Sequence, residues 1–247
     1  MIGVFDSGLG GLRAFRALSD AFPSLDLLYY ADTLHLPIGG RSEEEILALV
    51  ERALSFFASQ GVSHALLACG TASAVALKKC KEHFTFPIYG IIEEGARAAC
   101  LSSASGHIAV IATPATIATH AYRDSILSLR PDATVTELPC PSLVTAAELG
   151  EDGAVREALS SLSKNDADTL ILGCTHFPLL REAIEAFLPH MRTVDPAAVT
   201  VAALCARLSY GECAASAKRL FFTTGDPRIF SLRAAKVLGA PPTVRKV

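Results

Sequence analysis

The sequence predicts an α/β fold: two pseudo-symmetric parallel-sheet domains with helices on both faces and a functional cleft between them. Two observations carry this. Short apolar runs alternate with helical patterns from end to end, the signature of parallel sheets covered by helices. One internal echo also stands out: Ala65-Leu66-Leu67-Ala68-Cys69-Gly70-Thr71 and Leu170-Ile171-Leu172-Gly173-Cys174-Thr175-His176 both run apolar strand, small residue, Cys, then Thr. Each copy places a thiol at the carboxyl end of a strand, where open α/β sheets collect their ligands. Two such halves facing each other aim both thiols into one cleft.

The elements follow in order. Residues 2–5 read as a strand and 10–22 as a helix with Leu12, Phe15 and Leu18 on one face. Residues 25–30 are the next strand, and 31–41 an irregular stretch. Ser42 caps a helix whose first turn holds Glu43, Glu44 and Glu45, where the helix dipole favours acids. Gly61 ends that helix, and 64–68 is a buried strand. Further strands are expected at 88–92, 108–111, 134–138, 169–172 and 220–222, with helices including 116–129, 182–188 and 199–208. The domains are expected to comprise residues 1–93 with 207–247, and residues 94–206.

Composition narrows the function classes. Of 247 residues 51% are apolar and 19% charged, which excludes disorder. The net charge is −3 and no stretch gathers Lys and Arg into a stripe, so no nucleic-acid partner is expected. No apolar run approaches the ~20 residues of a membrane span, so no membrane partner is expected either. Met1 to Asp6 has no positive n-region and reads as a strand, not a signal peptide. Seven cysteines without a CxxC pair suit a reducing cytoplasm, and none has finger-like spacing that would imply a metal.

Among the cysteines, Cys69 and Cys174 each end a strand ahead of a helix, and a helix N-terminus lowers a thiol's pKa. Cys80, Cys100, Cys140, Cys205 and Cys213 read as small interior hydrophobes. Asp6-Ser7-Gly8-Leu9-Gly10-Gly11 is a glycine-rich turn, but the third glycine of a dinucleotide loop would fall at Arg13. The turn suits a small anion such as a carboxylate instead. Asp6 is either a cap for this turn or an acid of the site. His176 is either a helix-start residue or the group that orients the Cys174 thiol and stabilises its charge. Pro37-Ile38-Gly39-Gly40 is a connection or a binding edge, and Glu148 has no local context that separates it from a solvated helix residue.

Taken together and in order, these residues resemble the glutamate racemase family. The matching pieces are Val4-Phe5-Asp6-Ser7-Gly8 with Gly10-Gly11, Ala31-Asp32-Thr33, Pro37 with Gly39, and Ala68-Cys69 with Thr71-Ala72-Ser73. They continue through Ala115-Thr116-Ile117, Cys140-Pro141, Glu148 with Gly150, Leu172-Gly173-Cys174-Thr175-His176 and Thr224-Gly225-Asp226. The resemblance implies a cofactor-independent enzyme that inverts the α-carbon of glutamate by two-base proton transfer. Cys69 would take the proton from D-glutamate and Cys174 from L-glutamate, each thiol reprotonating the opposite face. Asp6, Glu148 and His176 match positions that tune the thiols. Substrate contacts map onto Asp6, Ser7, Ile38, Gly39, Gly70, Thr71, Thr175 and His176. His176 also favours glutamate over aspartate. A cytoplasmic supply of D-glutamate for peptidoglycan, and so cell-wall biogenesis and cell shape, and a homodimer are further expectations of the resemblance.

The chain departs from the family at three places. Gly70 stands where the family has Asn, Ile38 where it has Tyr, and Glu94 where it has Pro. Loss of an amide hydrogen bond to a charged group costs roughly 1.5–3 kcal/mol, so Gly70→Asn is expected to raise activity. The alternatives are a racemase-like protein of weak or lost activity that binds an amino acid or a protein partner, and a Cys–His hydrolase built on Cys174 alone.

Overall fold

The apolar run Ile2–Asp6 forms β1, buried along its whole length, and the chain winds outward from it in both directions. The computed structural model describes residues 1–208 and 217–247, so Cys213 lies outside the described residues. The first half runs β1, α1 (Leu12–Ala21), β2 (Leu27–Ala31), α2 (Glu43–Ser59), β3 (His64–Leu67), α3 (Gly70–Cys80) and β4 (Ile88–Gly90). Next come α4 (Ile92–Ser102), β5 (His107–Ala112), α5 (Pro114–Ala118), α6 (Ala121–Leu129), β6 (Thr134–Pro139), α7 (Pro141–Leu149), α8 (Ala154–Ala158) and β7 (Thr169–Leu172). The chain closes with α9 (Arg181–Phe187), β8 (Arg192–Val194), α10 (Pro196–Arg207), β9 (Arg219–Thr223), α11 (Pro227–Leu238) and β10 (Val244–Lys246).

The strands form two parallel sheets, one of order β10-β9-β2-β1-β3-β4 and one of order β6-β5-β7-β8. Side chains alternate across each sheet. Phe5, Ala65 and Leu67 enter one core of the first lobe, while Ile2, Val4 and Leu66 enter the other. In the second lobe Leu170 and Leu172 face one core and Ile171 the opposite one. Burial on both faces explains the uninterrupted apolar runs. Helix α10 lays Ala197, Val201 and Leu204 into a first-lobe core and ties the lobes together.

Local chemistry sets the boundaries. Ser42 and Glu45 form a reciprocal capping box at α2, and Gly61 adopts φ 70° just beyond its end. The expected helix at 116–129 is two helices. Thr113 caps α5 ahead of Pro114, and His120 at φ 53° starts a new axis for α6. The Thr119 hydroxyl accepts from the Ala121 N–H at 3.2 Å and stabilises the break. β8 and β10 went unnoticed in the sequence because each is a three-residue edge strand with little apolar content. The 31–41 stretch contains a 3₁₀ turn, Thr33–His35.

In each sheet the connections leave two central strands toward opposite edges: β1 and β3 in the first, β5 and β7 in the second. Such a switch point opens a crevice at the strands' carboxyl ends. Asp6 and Cys69 end or follow β1 and β3; Thr113 and Cys174 follow β5 and β7.

Candidate active site

Both sequence-predicted thiols lie buried where the crevices meet, Cys69 at 5% exposure and Cys174 at 8%. Cys69 is the N-cap residue of α3, and its sulfur lies 3.8 Å from the Ser7 hydroxyl. The residue after Cys69 lies against the residue before Cys174: a Cβ on Gly70 would lie 3.8 Å from Cys174 Cα, so the two strand ends share one neighbourhood.

The electrostatics of the two thiols differ. Burial first, and the Asp6 carboxylate second, push the Cys69 thiol up to about 12, outweighing a backbone hydrogen bond from Ala72 and the Ser7 contact. This corrects the expectation of a helix-activated thiolate at Cys69: desolvation exceeds the dipole of α3. Cys174 instead has a cationic neighbour. Its sulfur is 3.6 Å from His176 Nδ1, and His176 Nε2 is 3.4 Å from Glu148 Oε1. The latter is a close ion pair rather than an aligned hydrogen bond, since Nε2 has no hydrogen-bond partner. Burial alone would lower the His176 pKa; the contacts with Cys174 and Glu148 and the charges of Cys174 and Asp6 raise it well above the ordinary value. The contact with His176 in turn holds the Glu148 carboxyl below its usual range. Cys174 is not followed directly by an α-helix. A 3₁₀ turn, Phe177–Leu180, intervenes before α9.

Asp6 holds its own turn and also reaches across to the second lobe. Its Oδ1 accepts from the Gly8 N–H at 2.8 Å, and its Oδ2 accepts from the Thr175 hydroxyl at 3.1 Å across the lobes. Burial raises its pKa despite the charge of His176 and these bonds. Thr71 Oγ1 meets Thr113 Oγ1 at 2.9 Å, and Thr113 meets Thr116 at 2.9 Å. Gly39 accepts from the Ala115 N–H at 2.9 Å, while the Ile38 side chain is buried in the first-lobe core at 3% exposure. The contacts bring together Asp6, Ser7, Cys69, Gly70, Thr71, Cys174, Thr175, His176 and Glu148, with Gly39 against Thr113, whereas the Ile38 side chain belongs to the core. A cavity of about 280 Å³ lined in part by Glu148, Leu34, Ile229 and Arg233 lies beside that cluster.

Three glycines let the lobes touch at backbone level. A Cβ on Gly10 would overlap the Thr175 hydroxyl, one on Gly39 would lie 2.6 Å from Thr113 Cβ, and one on Gly70 would overlap the Gly173 carbonyl oxygen. The last contact bears on Gly70→Asn, because any side chain there requires the Gly173 backbone to shift. There is no room for a side chain at Gly70, so an amide there cannot simply restore a substrate contact.

Sequence reading missed Thr113 and Thr116, which join Thr71 across the lobes, although Thr113-Pro114 is a legible helix cap. It also missed how Asp32 is held. Asp32 Oδ1 accepts from the Thr224 hydroxyl and lies against His35 Nδ1, both at 2.7 Å. Thr224 is too far from Asp32 in the chain for any local signal. No group of three or more His, Cys, Asp or Glu side chains suited to a metal occurs among the described residues, and no described helix is long and apolar enough to cross a membrane.

Comparison with known proteins agrees with this architecture. The family model described as Asp/Glu/Hydantoin racemase matches residues 14–204. The chain is 40% identical over 255 residues to a glutamate racemase of Gloeobacter violaceus, covering 100% of this chain and 96% of the relative. Its fold matches glutamate racemase isoform RacE1 from Bacillus anthracis at TM-score 0.93 and 34% identity, covering 100% and 97% of the two chains. It also matches a glutamate racemase from Francisella tularensis, solved with D-glutamate, at TM-score 0.91 and 28% identity, covering 100% and 96%.

Proposed function

The chain belongs to the glutamate racemase family, and on that premise we propose that it interconverts L- and D-glutamate by two-cysteine proton transfer without a cofactor. The observation that supports this reading is that Cys69 and Cys174 follow central strands of two sheets whose ends meet at Gly70 and Gly173.

Inversion at one carbon requires a base on one face and an acid on the other. In the L-to-D direction the Cys174 thiolate, paired with the His176 imidazolium, takes the α-proton. The C–H bond breaks, an S–H bond forms, and the electron pair moves toward the substrate carboxylate. The Cys69 thiol then gives its proton to the opposite face. The high pKa of Cys69 suits this role, because a buried neutral thiol is a ready acid toward a carbanion. In the reverse direction the two exchange roles. Asp6, Glu148 and His176 tune the thiols. Ser7, Ile38, Gly39, Gly70, Thr71, Thr175 and His176 form the walls against which the substrate carboxylates and ammonium are held. Backbone N–H groups at the strand ends stabilise the developing negative charge.

The same reading assigns residues 1–93 with 207–247 and residues 94–206 to the two domains, and assigns the product D-glutamate to peptidoglycan synthesis in the cytoplasm. The test is proton NMR in D₂O. Either enantiomer should lose its α-proton signal while circular dichroism decays toward the racemate. A chain that leaves both signals untouched is not a glutamate racemase.

A further inference from the structure

Beside both thiols the lobes meet glycine to glycine. Gly70 is the first residue of α3, immediately after Cys69; Gly173 immediately precedes Cys174. A Cβ built on Gly70 overlaps the Gly173 carbonyl oxygen, and lies 3.2 Å from the Gly173 carbonyl carbon and 3.8 Å from Cys174 Cα. Neither side can yield easily. The Gly173 N–H is tied to the Ile111 carbonyl at 2.7 Å, continuing the second sheet, and Gly173 is itself enclosed by Ile111 O, Ala112 and Tyr122. On the opposite side Ser73, one turn into α3, donates to the Leu67 carbonyl at 2.7 Å and accepts from the Ile91 N–H at 3.2 Å, pinning α3 to its sheet.

We propose that Gly70 is a positioning residue: its bare Cα rests against the Gly173 carbonyl, and this contact sets the separation of the Cys69 and Cys174 sulfurs. The inference rests on the racemase reading for its catalytic consequence. Any side chain at Gly70 must part the two strand ends, by roughly 1 Å if an ordinary C···O contact is to be restored. Because each thiol adjoins its glycine in sequence, the sulfurs part with them. A substrate carbon held between wider sulfurs still reaches one of them but not both at reacting distance. Abstraction and return of the proton on one face then survive better than transfer through to the other face.

The experiment compares Gly70→Ala with Gly153→Ala, a control glycine at the start of α8 whose added Cβ meets nothing within 4 Å. Three quantities are read: racemisation by circular dichroism, α-deuteration without inversion in D₂O, and alkylation rates of Cys69 and Cys174 by peptide mass spectrometry. For Gly70→Ala we expect kcat for racemisation to fall about ten- to a hundredfold, as a misplacement of this size commands, with KM changed less than about threefold. The ratio of deuteration to inversion should rise, and both thiols should alkylate faster than in the native chain. Gly153→Ala should match the native chain in all three.

Native-like values for Gly70→Ala overturn the proposal, as does an equal loss of deuteration and inversion with unchanged alkylation. Alkylation needs no substrate. A native chain inert toward glutamate, with the alkylation difference intact, therefore faults the substrate reading and not the contact. Should Gly70→Ala not fold, the native chain is treated with bifunctional thiol reagents of increasing span. The shortest should join Cys69 to Cys174 most efficiently, and preference for a long spacer overturns the proposal.

Discussion

The two halves present the same device, a thiol at the end of a central strand, in opposite electrical settings. In the first lobe Cys69 caps α3, buried, with Asp6 as its charged neighbour, and its proton is held tightly. In the second lobe Cys174 precedes only a 3₁₀ turn, but His176 stands 3.6 Å away, backed by Glu148. A helix N-terminus is therefore the weaker lever here; a buried charge adjacent to sulfur outranks it. The comparison teaches that one residue type at equivalent strand ends can be given contrasting surroundings by changing the neighbours alone.

The strongest way to break that comparison is to remove either sulfur. Cys69→Ser and Cys174→Ser should each reduce racemisation by about a thousandfold or more, within the range of general acid–base contributions. Cys69→Ser should still deuterate L-glutamate slowly at its original configuration, and Cys174→Ser only D-glutamate. Identical behaviour of the two variants toward both enantiomers, followed by NMR, would contradict the assigned faces.

A smaller effect is expected from His176→Asn, which removes the cation beside Cys174. Loss of a charge-assisted contact predicts about a ten- to hundredfold drop in kcat, read by circular dichroism. The same histidine has a stability signature. Its pKa is raised on folding, so its contribution is fully present below the unfolded value of about 6.5 and fades as pH rises through the folded value. Melting curves of native and His176→Asn proteins should therefore converge at alkaline pH.

Asp6→Asn sharpens the other half. Asp6 is the largest charge raising the Cys69 pKa, so the substitution should move Cys69 alkylation to lower pH. The asparagine oxygen can still accept from Gly8. An unmoved profile would leave burial as the sole cause. The smallest effect is expected far from both thiols: Ser42→Ala removes the α2 cap and should cost about 1 kcal/mol of stability by denaturant unfolding, with the deuteration-to-inversion ratio unchanged.

Much of the site was legible because its residues sit at strand ends and in short motifs. Cys69, Cys174, Asp6, Ser7 and His176 are each marked by an apolar run that stops at a polar or small residue. Glu148 carried no such mark. It lies in α7, and only packing of that helix sets its carboxylate against His176. The pairing of Asp32 with Thr224 and of Thr71 with Thr113 joins residues whose neighbours in sequence say nothing of each other. The surroundings of Gly70 are hidden for the same reason, since the atom nearest its absent side chain belongs to Gly173.

By itself the sequence determined the alternation of strands and helices, the burial of both sheet faces and the two thiols, because periodicity, caps and strand termini are properties of neighbouring residues. Tertiary structure alone decided how tightly each thiol holds its proton, and how near the two strand ends come. Desolvation, charge proximity and steric contact act through space, and the groups that supply them are brought together only when the two lobes close on each other.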